Sequence, residues 1–273
     1  MSEKKRLDVI LVERGFFDSR QVARTNIMCG NVIVDGTKIT KAGEKINCDL
    51  KIEILDQKEI IYVSRAGAKL KKAIDVFEID LNGKICFDIG ASTGGFTDCM
   101  LREGSVKVFA IDVGYGQLDY RLRKDERVIV FERMNVRYAE QETFSHKGDF
   151  ASIDVSFISI EKILNKVRSF LKNDAHIVAL IKPQFEAGKG KVNKKGIVKD
   201  KEVHFEVIDK IVRFVRENNF EVLNLTYSPI KGGHGNIEFL LHLGVNDLYG
   251  SIAIDDEVIR RVVDEAHIEQ NYD

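Results

Sequence analysis

Cysteine is scarce in this chain of 273 residues, and Cys29, Cys48, Cys86 and Cys99 show no C-x-x-C spacing. A zinc site is therefore not expected, and the thiols read as reduced and mostly packed in a cytoplasmic protein. No apolar run approaches the roughly 20 residues that span a bilayer, so no membrane partner is expected. The basic start Met1-Ser2-Glu3-Lys4-Lys5-Arg6 leads into no uninterrupted apolar segment, so no secretory signal is expected. Internal repeats and low-complexity stretches are also lacking. Proline occurs only as Pro183 and Pro229, each just past an expected strand, where a site loop would begin. Net charge of one sign is missing too, at −1 overall, but it is unevenly placed. Residues 1–72 carry 15 Lys and Arg against 10 Asp and Glu, whereas the remainder carries 27 against 33. A basic front on an acidic body suggests a polyanion-binding module joined to an enzyme.

What is present, 44% apolar and 31% charged residues, describes an ordinary globular chain with room for one large and one small domain. Residues 5–30 read as two short helices. Leu7, Ile10 and Leu11 share one face, Val22, Ala23 and Ile27 another, and Ser19 is the expected cap of the second helix. Val32 to Val34 with Asp35-Gly36 reads as a strand and hairpin turn, and Lys51 to Leu55 as a closing strand. Arg6, Arg14, Arg20, Arg24, Lys38 and Lys41 are placed to line one side of this unit. The pattern Arg6-Leu7-Asp8, Leu11, Arg14-Gly15, Ser19-Arg20, Ala23, Ile27, Gly30, Val32, Val34 and Gly36 resembles the alpha-L motif, a small RNA-binding domain of ribosomal-protein type. That resemblance implies recognition of RNA shape and phosphates.

From residue 84 onward strands and helices alternate. Strands are expected at 85–88, 107–112, 127–131, 150–154, 175–181, 220–227 and 236–243. Helices are expected at 94–103, 158–172, 201–218 and near 255–268. This predicts a doubly wound, mostly parallel α/β sheet. The first strand runs into Asp88-Ile89-Gly90-Ala91-Ser92-Thr93-Gly94-Gly95-Phe96, a glycine-rich turn that opens a helix. Such a turn lets a backbone approach a small ligand, and its N–H groups with the helix N-terminus suit the carboxylate of a bound amino acid. The spacing is not the dinucleotide pattern and resembles the loop of Rossmann-like methyltransferases that bind S-adenosylmethionine. Asp112, about twenty residues on, would accept both ribose hydroxyls. Val113 and Gly114 would form a tight loop beside the adenine, with Met134 and Asn135 against its face and edge.

Four charged residues fall at element ends where this topology converges: Lys69, Asp154, Lys182 and Glu238. A charge within an apolar stretch such as Ile237-Glu238-Phe239 needs a partner, or it costs several kcal/mol. Their order resembles the Lys-Asp-Lys-Glu tetrad of FtsJ-type ribose 2′-O-methyltransferases. Joined to the front unit, the chain resembles the TlyA family, also known as hemolysin A-like, over about residues 5–245. The resemblance implies a Rossmann-like methyltransferase sheet with a small N-terminal α+β RNA-binding domain, divided as 1–60, a linker 61–68 and 69–273. It implies methylation of cytidine ribose in 23S and/or 16S rRNA within ribosomal subunits, S-adenosylmethionine as cofactor with S-adenosylhomocysteine as product, and no metal. Lys182 is the expected base, Asp154 its orienting group, and Glu238 the partner of Lys69 or of the hydroxyl. Arg65, Arg133, Arg137 and Lys189 are expected to face RNA, the last in a lysine-rich loop running to Lys201. No obligate protein partner is expected, and nothing demands more than a monomer.

Three rival functions follow from the same residues. A base or protein methyltransferase would usually carry Asn/Asp-Pro-Pro-aromatic where this chain has Asp154-Val155-Ser156-Phe157. An rRNA-binding assembly factor would bind the cofactor without turnover. A membrane-active hemolysin would lyse cells independently of Lys182.

Overall fold

Apolar spacing decides which residues turn inward at the front of the chain. The computed structural model describes residues 4–17, 20–28, 32–39, 43–54, 62–188, 190–246, 249–250 and 254–271. The chain divides into two compact units, Met1–Arg65 and Ala66–Asp273. The first unit holds β1 (Lys4–Arg6), α1 (Leu7–Glu13), α2 (Arg20–Met28), β2 (Val32–Val34), β3 (Thr37–Ile39), β4 (Lys45–Asn47) and β5 (Ile52–Ile54). Leu7, Ile10, Leu11, Ala23, Ile27, Val32, Val34, Ile46 and Ile52 form its core. Val22 does not join Ala23 and Ile27 as expected; it is 45% exposed. The inward stripe of α2 repeats every four residues, and Val22 lies about 100° around the helix from Ala23. Asp35 and Gly36 take φ of 49° and 76°, the doubly positive pair that suits a two-residue hairpin. Strands β3-β2-β5 form one sheet, and β1 pairs antiparallel with β4. These last two strands escaped the sequence reading, because three-residue pieces rich in lysine show no alternation. Ser19, Gly30 and Leu55 lie outside the described residues.

Asp8 is fully buried in α1. Arg6 grips it through Nε at 2.9 Å and Nη2 at 3.0 Å, and Arg20 adds a bond at 3.0 Å. The Arg6 bond is the chief cause that lowers the Asp8 carboxyl to about 2. A depressed carboxyl contributes stability above its unfolded value near 4, and this is lost as pH falls toward about 2. We expect Asp8→Asn to cost the first unit about 1–2 kcal/mol at neutral pH, after allowance for the exposed guanidinium faces. It should also flatten acid unfolding between those values. Hydrogen exchange in α1 and α2 across that range checks this; an unchanged acid limb would rule it out.

The second unit begins with α3 (Gly67–Phe77) and continues through β6 (Ile85–Ile89), α4 (Gly95–Arg102), β7 (Lys107–Ile111), α5 (Tyr120–Arg123), β8 (Val128–Phe131) and β9 (Gly148–Ile153). Then come α6 (Leu164–Ser169), β10 (Leu171–Ile181), α7 (Pro183–Glu186), α8 (Lys201–Glu217), β11 (Glu221–Tyr227), β12 (Phe239–Gly244) and α9 (Asp256–Asn271). One seven-stranded sheet runs β11-β12-β10-β9-β6-β7-β8. Every neighbouring pair from β10 to β8 is parallel, and β12 alone is reversed, antiparallel to both β10 and β11. This is the Rossmann-like architecture, with a reversed strand inserted between two parallel ones.

Helix α8 shows why the elements pack. Val207, Ile208, Ile211, Val212 and Val215 fall on one buried stripe, and Asp200 caps its start by accepting from the Glu202 N–H at 2.9 Å. The helix expected over 158–172 is shorter. Ser159 caps a 3₁₀ turn at Ile160–Lys162, Ile163 leaves helical geometry at φ −124°, and α6 ends at Ser169. The chain is extended again at Leu171, where it pairs with Gly148 before a register shift in β10. Pro183 does not begin a loop; its fixed φ starts the single turn α7.

Candidate active site

The carboxyl end of β6 delivers the glycine-rich loop. Gly90 has φ +89°, and a Cβ there would overlap the Asp154 carbonyl oxygen; Gly94 has φ +93°, and a Cβ there would overlap Leu122. Both positions therefore require glycine. The early amides of the loop are taken up by the end of β7 and by the loop itself. The N–H groups of Gly90 and Ala91 both donate to the Ile111 carbonyl, at 2.8 and 3.1 Å, and that of Gly94 donates to Ala91 at 2.7 Å. The expectation that these N–H groups face a ligand carboxylate is thus corrected for the early part of the loop. What they leave is room.

Asp112 holds two loops at once. Its Oδ2 accepts the Ser92 N–H at 2.8 Å and its Oδ1 the Gly114 N–H at 2.6 Å. Each oxygen keeps a further lone pair for a ligand hydroxyl. The cavity beside it measures about 430 Å³. Its lining includes Gly90, Ser92, Asp112, Val113, Met134, Asn135, Arg137 and Asp154, over an apolar floor of Ile89, Ile111 and Val136. Met134 also packs against the central core. Asn135 accepts the Arg137 N–H at 3.2 Å through its side-chain oxygen.

Ala91, Thr93, Gly94, Gly95, Phe96, Gly114 and Asp88 do not line this cavity. Phe96 is 3% exposed, packed away from it. Asp88 is fully buried and accepts from Thr97 Oγ1 at 2.6 Å and Ser152 Oγ at 3.2 Å. Burial, reinforced by nearby Asp154, pushes its carboxyl up to about 7 against those bonds. Asp88 thus fastens β6 to α4 and β9 beneath the loop, where its carboxylate has no path to a ligand. Sequence reasoning missed Gln117, Val155, Ser156, Phe157, Ile158 and Ile163, which complete the lining. Phe157 carries the one available signal, a large aromatic just after a strand-ending aspartate; it is 90% exposed with φ 64° and lies 4.9 Å from Phe185.

We expect Gly90→Ala to weaken binding of the cofactor expected from the sequence, S-adenosylmethionine, at least about tenfold. The change forces a side chain into positive φ, at roughly 1–2 kcal/mol, and also against a backbone carbonyl. Calorimetric titration reads this directly, and wild-type affinity would contradict the packing described.

The four charged residues form two ion pairs. Lys182 Nζ lies 2.5 Å from Asp154 Oδ1 and donates to Ser156 Oγ at 3.0 Å. Lys69 Nζ lies 2.5 Å from Glu238 Oε2, and Gln184 Nε2 approaches Glu238 Oε1 at 3.5 Å. The sheet sets this arrangement. Ile181 pairs with Phe239, so Lys182 and Glu238 stand one step beyond on neighbouring strand ends. Ala179 pairs with Ile153, which brings Asp154 to the same edge. Glu238 precedes β12 and does not sit inside it. A Cβ on Gly232 would overlap its carboxylate, so that glycine makes room for it.

The residues expected to meet RNA are differently disposed. Arg6 and Arg20 share Asp8. Arg14 donates to the carbonyls of Cys48 and Leu50, so it braces the front unit. Arg24 and Arg65 are exposed. Arg133 lies 4.3 Å over the Tyr115 ring, and Arg137 borders the cavity. Lys41, Lys189 and the Lys38 side chain lie outside the described residues. In the lysine-rich loop, Lys191 pairs with Glu206, while Lys194, Lys195 and Lys199 are exposed. Asn236 ties this loop down by accepting the Val198 N–H at 3.0 Å and donating to the Gly196 carbonyl at 2.9 Å. Among the described residues, no helix is long and apolar enough to cross a membrane.

Residues 62–245 match the model of the FtsJ-like methyltransferase family, and residues 5–47 that of the S4 domain. YqxC of Bacillus subtilis is 48% identical over 269 residues, 97% of this chain and 95% of that protein. The 16S/23S rRNA (cytidine-2′-O)-methyltransferase TlyA of Mycobacterium tuberculosis is 38% identical over 243 residues, 89% of this chain and 91% of that protein. A solved structure from Streptococcus thermophilus is 42% identical with a TM-score of 0.79, covering 100% of this chain and 98% of that one.

Proposed function

The chain belongs to the FtsJ-like methyltransferases, in the TlyA family whose members add an S4 domain, and from that premise we propose that it methylates the ribose 2′-hydroxyl of cytidine in 16S or 23S rRNA. It acts in the cytoplasm on ribosomal subunits, as a monomer whose basic front unit docks the RNA. The observation that carries this reading is the Lys182 amine, held by Asp154 and Ser156, both of which line the cavity.

The cavity suits S-adenosylmethionine. Gly90 leaves room that a Cβ would fill, Asp112 offers two carboxylate oxygens for hydroxyls, and Met134 and Asn135 border the space for a base. When bound, that cofactor supplies an electrophilic methyl group on sulfur. The protein's residues do the rest. A ribose hydroxyl is a poor nucleophile until a base takes its proton. Lys182 Nζ, in its neutral form, accepts that proton. Asp154 and Ser156 fix the direction of the amine. The Lys69–Glu238 pair presents a fixed dipole beside it, and holding the hydroxyl in line supplies much of the rate. A base-methylating enzyme has no use for this lysine.

The test is labelled methyl transfer to separate 30S subunits, 50S subunits and naked rRNA, followed by digestion to single nucleosides. Label in the ribose of cytidine is expected. Label on a base, or cofactor binding with no transfer to any of the three, would overturn the proposal.

A further inference from the structure

Helix α9 lies beyond the stretch 62–245 that matches the methyltransferase family. Its last turns nevertheless reach residues that neighbour the Lys69–Glu238 pair. Gln270, 4% exposed, donates from Nε2 to the Ser228 carbonyl at 2.6 Å. Ser228 is itself fully buried, and its N–H donates to the Glu238 carbonyl at 2.8 Å. One side-chain amide therefore holds the carbonyl of the residue whose N–H holds the Glu238 carbonyl.

The neighbouring residue, Tyr227, touches the helix that carries the other partner. Lys72 Nζ sits 3.4 Å from the centre of the Tyr227 ring, and burial, with Glu269 of α9 next in effect, pushes the Tyr227 hydroxyl above its usual range. Lys72 stands three residues after Lys69 in α3, nearly one turn along the same helix. His267, three residues before Gln270, fastens α9 to α8 through a 2.9 Å bond between its Nε2 and His204 Nδ1. Ile259, Val262, Val263 and Ala266 bury the rest of the helix face.

We infer that α9 sets the position of the Lys69–Glu238 pair, with Gln270 as the positioning residue on the Glu238 side and Tyr227 on the Lys69 side. This rests on the reading that the pair belongs to the methyl-transfer site. A buried amide-to-carbonyl bond acts here through the backbone, so the substrate never meets Gln270. Its effect should fall on turnover and leave binding alone.

The experiment compares Gln270→Met, which keeps the length and volume but loses the donor, and Tyr227→Phe, which keeps the ring under Lys72 but loses the hydroxyl. Full-length protein is assayed for kcat, for KM toward ribosomal subunits and for S-adenosylmethionine affinity. The Lys69 side-chain nitrogen is followed by NMR. Gln270→Met is expected to lower kcat about tenfold, with KM and cofactor affinity within about twofold, and to shift the Lys69 resonance. Tyr227→Phe should do the same to a smaller degree, and it decides the matter if Gln270→Met does not fold. Unchanged kcat with an unmoved Lys69 resonance overturns the inference. So does a kcat loss matched by equal loss of cofactor affinity with Lys69 unmoved, which would mark general loosening. Lys182→Ala is run alongside. If it retains activity, the functional reading fails, whereas a shifted Lys69 resonance would still uphold the positioning by α9.

Discussion

Lys182→Ala should lower the rate of methyl transfer by about 10³-fold while leaving S-adenosylmethionine affinity within about twofold of wild type. The split follows from where the lysine stands. Asp154 and Ser156 line the cavity and Lys182 does not; its amine is held 2.5 Å from Asp154 and 3.0 Å from Ser156. Removing the amine takes away the proton acceptor without touching the loop at Gly90 or the carboxylate of Asp112. Lys182→Arg sharpens the test. A guanidinium keeps the positive charge beside Asp154 but cannot be deprotonated in a protein. If Lys182 serves as a base, the arginine variant is as inactive as the alanine one. If it serves only as a fixed charge, arginine restores a good part of the rate. Asp154→Asn behaves differently from both: it disturbs the cavity wall as well as the amine, so turnover and cofactor affinity fall together. Single-turnover methyl transfer with saturating cofactor, paired with calorimetric titration, separates these cases. A Lys182→Ala enzyme with near-wild-type turnover would remove the lysine from the mechanism.

The alternation of strands and helices made the α/β sheet legible, since buried strands read as apolar runs whatever they pair with. The glycine loop was legible because positive φ and close backbone approach select one residue type. Pairing was less so. Nothing local in Phe239–Gly244 says that this strand inserts, reversed, between β10 and β11; that is fixed by contacts far apart in sequence. Charge bookkeeping also misled at specific positions. Arg6 and Arg20 were expected to face RNA, yet both are occupied by the buried Asp8. Asp88 looked like part of the ligand loop, yet its carboxyl closes an internal network. In both cases spacing gives the residue's place along the chain, but burial decides what its side chain faces. The reach of α9 back to Ser228 was invisible for the same reason, because a glutamine near the chain's end carries no periodic signal of its own.

Glu238→Ala should cost the second unit about 3–5 kcal/mol, more than any loss of packing alone would explain. The two side chains are 8% and 2% exposed, so Lys69 would be left as a cation in a dry site with no counter-charge. Gln184, at 3.5 Å from the same carboxylate, offers an amide that cannot replace it. Lys69→Met should be similarly destabilising, because it strands the carboxylate instead. The double variant Lys69→Met with Glu238→Met removes both charges and should recover much of the stability lost by either single change. A buried pair against apolar residues of similar size is near neutral, whereas a single buried charge is not. Denaturant unfolding of all four proteins measures the coupling directly. Should Glu238→Ala fall within about 0.5 kcal/mol of wild type, as ordinary surface substitutions do, the pair would be solvated in solution and the site wetter than described. Activity provides the second axis. The double variant is expected to stay inactive in methyl transfer although it is stable, since the dipole beside Lys182 is gone. A stable double variant with restored turnover would mean that the Lys69–Glu238 pair serves the fold alone, and that the chemistry rests on Lys182 and Asp154.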